Sequence, residues 1–184
     1  MDEETSGNNA SQAEDMEQVW PEKSKSDIAA AIAKPHKLVA ATEEEMQGTP
    51  EIKTAGNFIA YLIAIMNPDR KAKEIGTFIS YMIKALSEFY KGHWYEKRPQ
   101  LGQGFRAVEI SGSTVDRKVC LALAKSNLEN IKLPYEVTIF IDPKCTAYRF
   151  GANGSIDDLY IEGKTVWRPE SNIVVGGERI QFVT

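Results

Sequence analysis

At 184 residues and 42% hydrophobic content the chain holds enough apolar material for one ordinary domain with a tail attached. Its net charge of −4 is unevenly spread: the first 50 residues carry eleven Asp and Glu against four Lys, and the other 134 carry fifteen acids against eighteen bases. That basic excess is too small to argue for nucleic acid. The amino terminus has neither a basic start nor an apolar stretch of signal type, and the longest apolar run, 58–66, falls far short of a bilayer span. With two cysteines away from CxxC spacing, the expectation is a reduced intracellular protein with no membrane partner.

Residues 1–49 are rich in Ser, Asn, Glu and Gln and are expected to form an acidic, disordered extension, relieved by a short helix over 27–33 that Pro35 stops. From Glu51 the texture changes. Ile52, Ala55, Ile59, Leu62, Ile63 and Met66 recur at three and four, which predicts an amphipathic helix after Pro50 and a domain boundary at 49–51. Asn67, Pro68 and Asp69 read as the start of a second helix, striped by Ile75, Phe78, Ile79, Met82, Leu86, Phe89 and Tyr90 and capped by Gly92.

After a Pro and Gly loop, a strand is predicted over 104–110. Ser113 with Asp116 reads as a capping box for a helix reaching about Leu128. Strands follow over 136–142 and 145–150, then a Gly151 to Gly154 turn and a last strand near 156–161. The order α, α, β, α, β, β, β predicts an α+β domain over 50–165. Its helical hairpin and a further helix pack on a mostly antiparallel sheet of about four strands, and 166–184 is left as a carboxy-terminal tail.

Alternation singles out two aromatics. Val137, Ile139 and Ile141 fill one strand face and leave Thr138, Phe140 and Asp142 on the other; Val108 and Ile110 face inward, which sends Phe105 outward with Glu109. Exposed phenylalanines on polar faces suit a partner surface. Gly102-Gln-Gly104-Phe-Arg-Ala107 fits a dinucleotide pattern, but a proline loop precedes it and period-two alternation follows, so no helix is placed to hold a pyrophosphate. His36 and His93 are the only histidines, too few for a histidine-rich metal site, and Cys145 reads as a strand cysteine. Arg70, Lys71, Lys73, Lys91, Lys97 and Arg98, interleaved with Trp94 and Tyr95, support an alternative reading as a small RNA-binding regulator, although no RNP-like strand is present and the GxxG at Gly151 to Gly154 reads as a turn between strands.

His93-Trp94, Pro99, Gly102-x-Gly104-Phe105-Arg106, then Asp142-Pro143, Tyr148-Arg149, Gly151 and Gly154-Ser155 together resemble the two signature boxes of the BTG/Tob antiproliferative family, over about 51–163. The resemblance implies an adaptor with no catalysis and no cofactor. Such an adaptor binds the Caf-type deadenylase subunit of the Ccr-Not complex, promotes messenger RNA deadenylation and restrains proliferation. It further implies a monomer without direct nucleic-acid contact, in cytoplasm and nucleus. The family's deadenylase contacts fall on Phe105, Phe140 and Asp142, with Arg106, Pro143 and Lys144 as candidate further interface residues. Phe105 stands where the family has tyrosine and Phe140 where it has tryptophan, so a hydroxyl and an indole donor are lost, worth about 1 kcal/mol for a hydrogen bond. No LxxLL motif occurs, so nuclear-receptor binding by that route is not expected.

Overall fold

The computed structural model describes residues 47–170 and 173–184; the expectations for 1–46, including the helix over 27–33, lie outside the described residues. Helix α1, Pro50–Met66, begins with proline in its first turn, where a missing N–H costs nothing. It is buried on nearly every side, with Ile52, Ala55, Ile59 and Ile63 withdrawn from water, because α2 covers one flank and the sheet the other. Gly56 allows the helix pair to approach closely: a Cβ there would lie 3.0 Å from Ile83 Cγ1. Helix α2, Ala72–Tyr90, buries Ile75, Phe78, Ile79, Met82, Leu86 and Tyr90 at the predicted spacing. Gly92 lies just past its end at φ +81°, as the sequence predicts.

Three local expectations are corrected. Asn67 ends α1 instead of starting α2. Its amide donates to the Ile63 and Lys132 carbonyls, both at 2.8 Å, and its carbonyl accepts the Lys132 N–H at 2.8 Å. These long-range bonds outweigh a local cap, and α2 begins five residues later. Phe89 is partly exposed, lying beneath Arg117 and Lys118 rather than in the core. Helix α3, Arg117–Lys125, is capped by Asp116, whose carboxylate accepts the Lys118 N–H at 2.8 Å, so Ser113 is not the cap and the helix stops before Leu128.

Strands β1 (Ala107–Ser111), β2 (Glu136–Asp142), β3 (Cys145–Phe150), β4 (Ile156–Ile161) and β5 (Lys164–Thr165) form one antiparallel sheet in that order. The α+β expectation therefore holds, with one short strand more than predicted. Val108, Ile110, Val137, Ile139 and Ile141 face the helices and are buried. The residues before Ala107 depart from the predicted strand: Gln103–Phe105 is a 3-10 turn, entered through Gly102 in the left-handed region at φ +76°.

Of the segment assigned as a tail, 166–184, the described residues pack against the domain. Trp167 meets Phe58 edge-on at 5.1 Å and Tyr61 at 5.4 Å, and Val175 and Ile180 are buried around the small hairpin of β6 (Val174–Val175) and β7 (Glu178–Arg179). The Asn57 side chain donates to the Val183 carbonyl at 2.7 Å and accepts its N–H at 3.1 Å. Trp167→Ala should therefore lower the stability of the whole domain by about 2 kcal/mol, less than for a fully buried tryptophan. Urea unfolding followed by circular dichroism measures it. An unchanged midpoint would show that the segment is only an appendage.

Candidate partner-binding site

Arg106 organises the region that carries the predicted site. Its guanidinium is 0% exposed, in a loop that offers carbonyls but no regular ladder. Nε lies 3.1 Å and Nη2 2.7 Å from Asp142 Oδ1, and Nε also donates to the Ile141 carbonyl at 3.2 Å. Nη1 donates to the Leu101 carbonyl at 2.6 Å and to that of His93, and Nη2 donates to the carbonyl of Pro99. The Trp94 ring lies 5.8 Å from the guanidinium carbon, and the Tyr90 hydroxyl donates to the Arg106 carbonyl at 2.8 Å. A Cβ on Gly102 would fall 2.6 Å from the His93 carbonyl and 3.0 Å from Arg106 Nη1, so the space belongs to the cation.

The expected flanking residues therefore divide. Arg106 and Pro143 are buried, and the Arg106 cation is ringed by loop carbonyls, so its contacts lie within the domain. Lys144 is exposed at φ +71°, with its N–H donating to Glu51 Oε1 at 2.7 Å. Asp142 is not a free strand-end acid. Its side chain is 16% exposed, one oxygen holding Arg106 and the other accepting from Gln103 Nε2 at 2.9 Å.

Phe105 is 62% exposed and stacks on His93, with ring centroids 4.1 Å apart and planes 18° apart. It points outward because of the 3-10 turn, not because of strand phase. Phe140 is half-buried on the face that α1 does not cover, opposite Ala107 on β1 and Ala147 on β3, with the Arg149 guanidinium 5.8 Å from its ring. Arg149 Nε is itself buried without a hydrogen-bond partner among the described residues. Phe105 and Phe140 make no ring contact with each other among the described residues. Their link is Asp142, which holds Gln103 and Arg106 on either side of Phe105 and lies two residues beyond Phe140 on the same strand face. The supporting roles of His93, Gln103 and Arg149 had no sequence signal beyond residue type.

Other candidate chemistry is constrained by the same geometry. Burial, with Asp158, Asp142 and Glu51 adding to it, pushes the Cys145 thiol up, so Lys144 does not activate it. No group of three or more His, Cys, Asp and Glu is placed to hold a metal ion among the described residues. No described helix is long and apolar enough to cross a membrane. For RNA, Trp94 is buried and the Arg70 guanidinium is committed to the Glu129 and Asn130 carbonyls, which removes two of the elements that reading needs.

The fold and site define an α+β domain with an ion-paired strand end flanked by outward aromatics. The model of the BTG family matches residues 48–160, and the chain belongs to that family. Among relatives, human Tob2 is 37% identical over 116 residues, which are 61% of this chain and 33% of Tob2. Human BTG2 is 32% identical over 117 residues, 61% of this chain and 73% of BTG2. The chain thus spans about a third of the length of the Tob relatives it matches. Among solved structures, the BTG/Tob domain of C. elegans FOG-3 aligns with a TM-score of 0.48 at 19% identity, covering 60% of this chain and 80% of that one.

Two predictions follow from the buried cation. Asp142→Asn leaves Arg106 without its counter-charge and should cost about 2–4 kcal/mol, at or below the range for breaking a buried pair because the carboxylate is partly exposed. Equilibrium denaturation measures this loss. Burial pushes the Tyr90 phenol well above its ordinary value, with Asp116 adding, Arg106 offsetting and Asp142 adding again. The raised pKa makes the contribution of Tyr90 fully present below the unfolded value of about 10 and lost as pH climbs toward the higher folded value. Stability should fall above that pH in the native protein. In Tyr90→Phe the fall should be shallower, from a starting point lower by about 1 kcal/mol for the lost hydrogen bond.

Proposed function

We propose that the protein is an antiproliferative adaptor with no catalysis of its own. On this reading it binds the Caf-type deadenylase subunit of the Ccr-Not complex in cytoplasm and nucleus and promotes shortening of messenger RNA tails. The observation that carries the reading is Phe105, 62% exposed on a turn that Arg106 and Gln103 tie to Asp142, with Phe140 outward on the adjoining strand. An aromatic ring already held in place contributes contact area at small entropic cost, the quality expected of an interface anchor. Membership of the BTG family and the resemblance of both boxes support the choice of partner.

Asp142 serves this interface by holding the turn. Its oxygens accept three protein N–H groups, which leaves capacity for one more donor from a partner. Phe105→Ala should weaken deadenylase binding by about thirtyfold, equivalent to about 2 kcal/mol, while the melting temperature stays close to native. Phe140→Ala should show a similar loss with a small fall in stability, since its ring also packs under Arg149. Titration calorimetry with the catalytic subunit reads both. Native affinity in both variants would sink the assignment, as would a dominant RNA affinity that collapses as salt rises.

A further inference from the structure

We propose that a small pocket on the outer sheet face, beside Phe140, receives a carboxamide side chain, Asn or Gln, of the deadenylase subunit. The inference rests on the function proposed above and gives that interface a further recognition residue, Arg149. The pocket lies on the sheet face turned away from the buried Val137, Ile139 and Ile141. Register across β1, β2 and β3 sets Glu109, Thr138 and Arg149 side by side in one row, with Ser111 and Glu136 in the next and Phe140 between Ala107 and Ala147 on the other side. The first two rows and the turn at Gly151 enclose about 100 Å³. That is well below the ~300 Å³ at which small-molecule sites begin, and it suits one side chain delivered by a bound protein.

One atom marks the pocket as unfinished. Among the described residues, Arg149 Nε is the one buried side-chain nitrogen or oxygen without a hydrogen-bond partner. Arg106, the other arginine drawn into the fold, has all three of its nitrogens bonded. The Arg149 guanidinium rests against Phe140, 5.8 Å from its ring, and forms no ion pair among the described residues, although Glu109 and Glu136 line the same pocket. A buried donor without an acceptor is a standing cost in the free protein, and a partner that supplies the acceptor removes it on binding.

The lining selects the chemistry of that partner group. Arg149 offers donors only, and the carboxylates of Glu109 and Glu136 only accept. A carboxylate would satisfy Nε but would sit with two like charges in the same small space. An ammonium would suit the two acids and leave Nε unpartnered beside a second cation. A carboxamide carries an acceptor and two donors without charge, so one group answers both walls. Its place next to Phe140 returns a directional contact to a position where the phenylalanine ring has none.

The test uses the full chain and the catalytic deadenylase subunit, with calorimetric titration for affinity and thermal melting for the fold. Arg149→Lys keeps the positive charge and removes Nε, and Arg149→Met keeps an unbranched stem over Phe140. Each should weaken binding about tenfold while the melting temperature stays close to native, since no protein partner of Nε is lost. Replacing the surface Asn and Gln residues of the subunit by alanine, one at a time, should reveal one whose loss matches that of Arg149→Lys and adds little when the two changes are combined. Failure of the native chain to bind the subunit would sink the proposed function and this assignment with it. Native binding that Phe105→Ala weakens and both Arg149 variants leave unchanged would overturn the pocket alone. So would a loss in the Arg149 variants that no carboxamide of the subunit shares, or one that melting traces to unfolding.

Discussion

A guanidinium removed entirely from water is tolerable only when nearly every N–H finds an acceptor, since an unpaired buried charge costs several kcal/mol. Arg106 meets that condition with the Asp142 carboxylate and the carbonyls of His93, Pro99, Leu101 and Ile141. Four of those acceptors are backbone groups, and three lie in the connection between α2 and β1, which has no ladder to satisfy them. The cation therefore does for this loop what hydrogen-bonded pairing does for the strands. It gathers the carbonyls, forces Gly102 into the left-handed region and places the 3-10 turn against the end of β2. Phe105 is presented to solvent as a result, although it touches neither partner of the ion pair by any ring or hydrogen-bond contact.

The same strand end is held from the other side by α1. The Glu51 carboxylate accepts the Lys144 N–H, and the Thr146 hydroxyl donates to the Glu51 carbonyl at 3.1 Å, so the tight turn after Asp142 is fastened to the first turn of the helix. Pro143 is enclosed between these two anchorages. α1 thus has three separate duties along its length. Its first turn fastens the β2–β3 connection and lines a cleft beneath the carboxy-terminal segment. Its middle fills the core between α2 and the sheet, and Asn67, the residue just past its end, pins the stretch that leads into β2. Burial of α1 on nearly every side follows from those duties.

Periodicity made α1, α2 and strand β2 legible, because each is long enough for apolar residues to repeat at 3.6 or at 2; β3 and β4, whose burial does not alternate, were legible from Pro143 and the Gly151 to Gly154 turn that bound them. It also identified Phe140 as outward, where its alternation with Ile139 and Ile141 is unbroken. What it missed depends on contacts between distant residues. Asn67 looks locally like an amino-terminal cap, and only the Lys132 backbone, 65 residues away, makes it a carboxy-terminal one. The two-residue strands β5, β6 and β7 are too short to alternate, so the packing of 166–184 had no periodic signal. Arg106 ran against the usual rule that charged residues lie at the surface. The available sign was a loop rich in proline and glycine, with many carbonyls and no strand to pair with.

The phenylalanines at positions 105 and 140 change the character of the proposed interface more than its extent. A tyrosine or tryptophan brings apolar area together with a directional donor, and phenylalanine keeps the area alone. Here the rings are supported from within the domain, Phe105 by His93 and Phe140 by Arg149, so their positions do not rely on a partner's hydrogen bonds. Directional recognition then falls to the carboxylate of Asp142, most of whose capacity is already committed to Gln103 and Arg106, and to the Arg149 donor in the neighbouring pocket. An interface on this surface is consequently governed by shape and apolar contact, with electrostatics confined to the pair that builds it. It should respond weakly to salt, because the Arg106–Asp142 charges are shielded by burial and not by counterions.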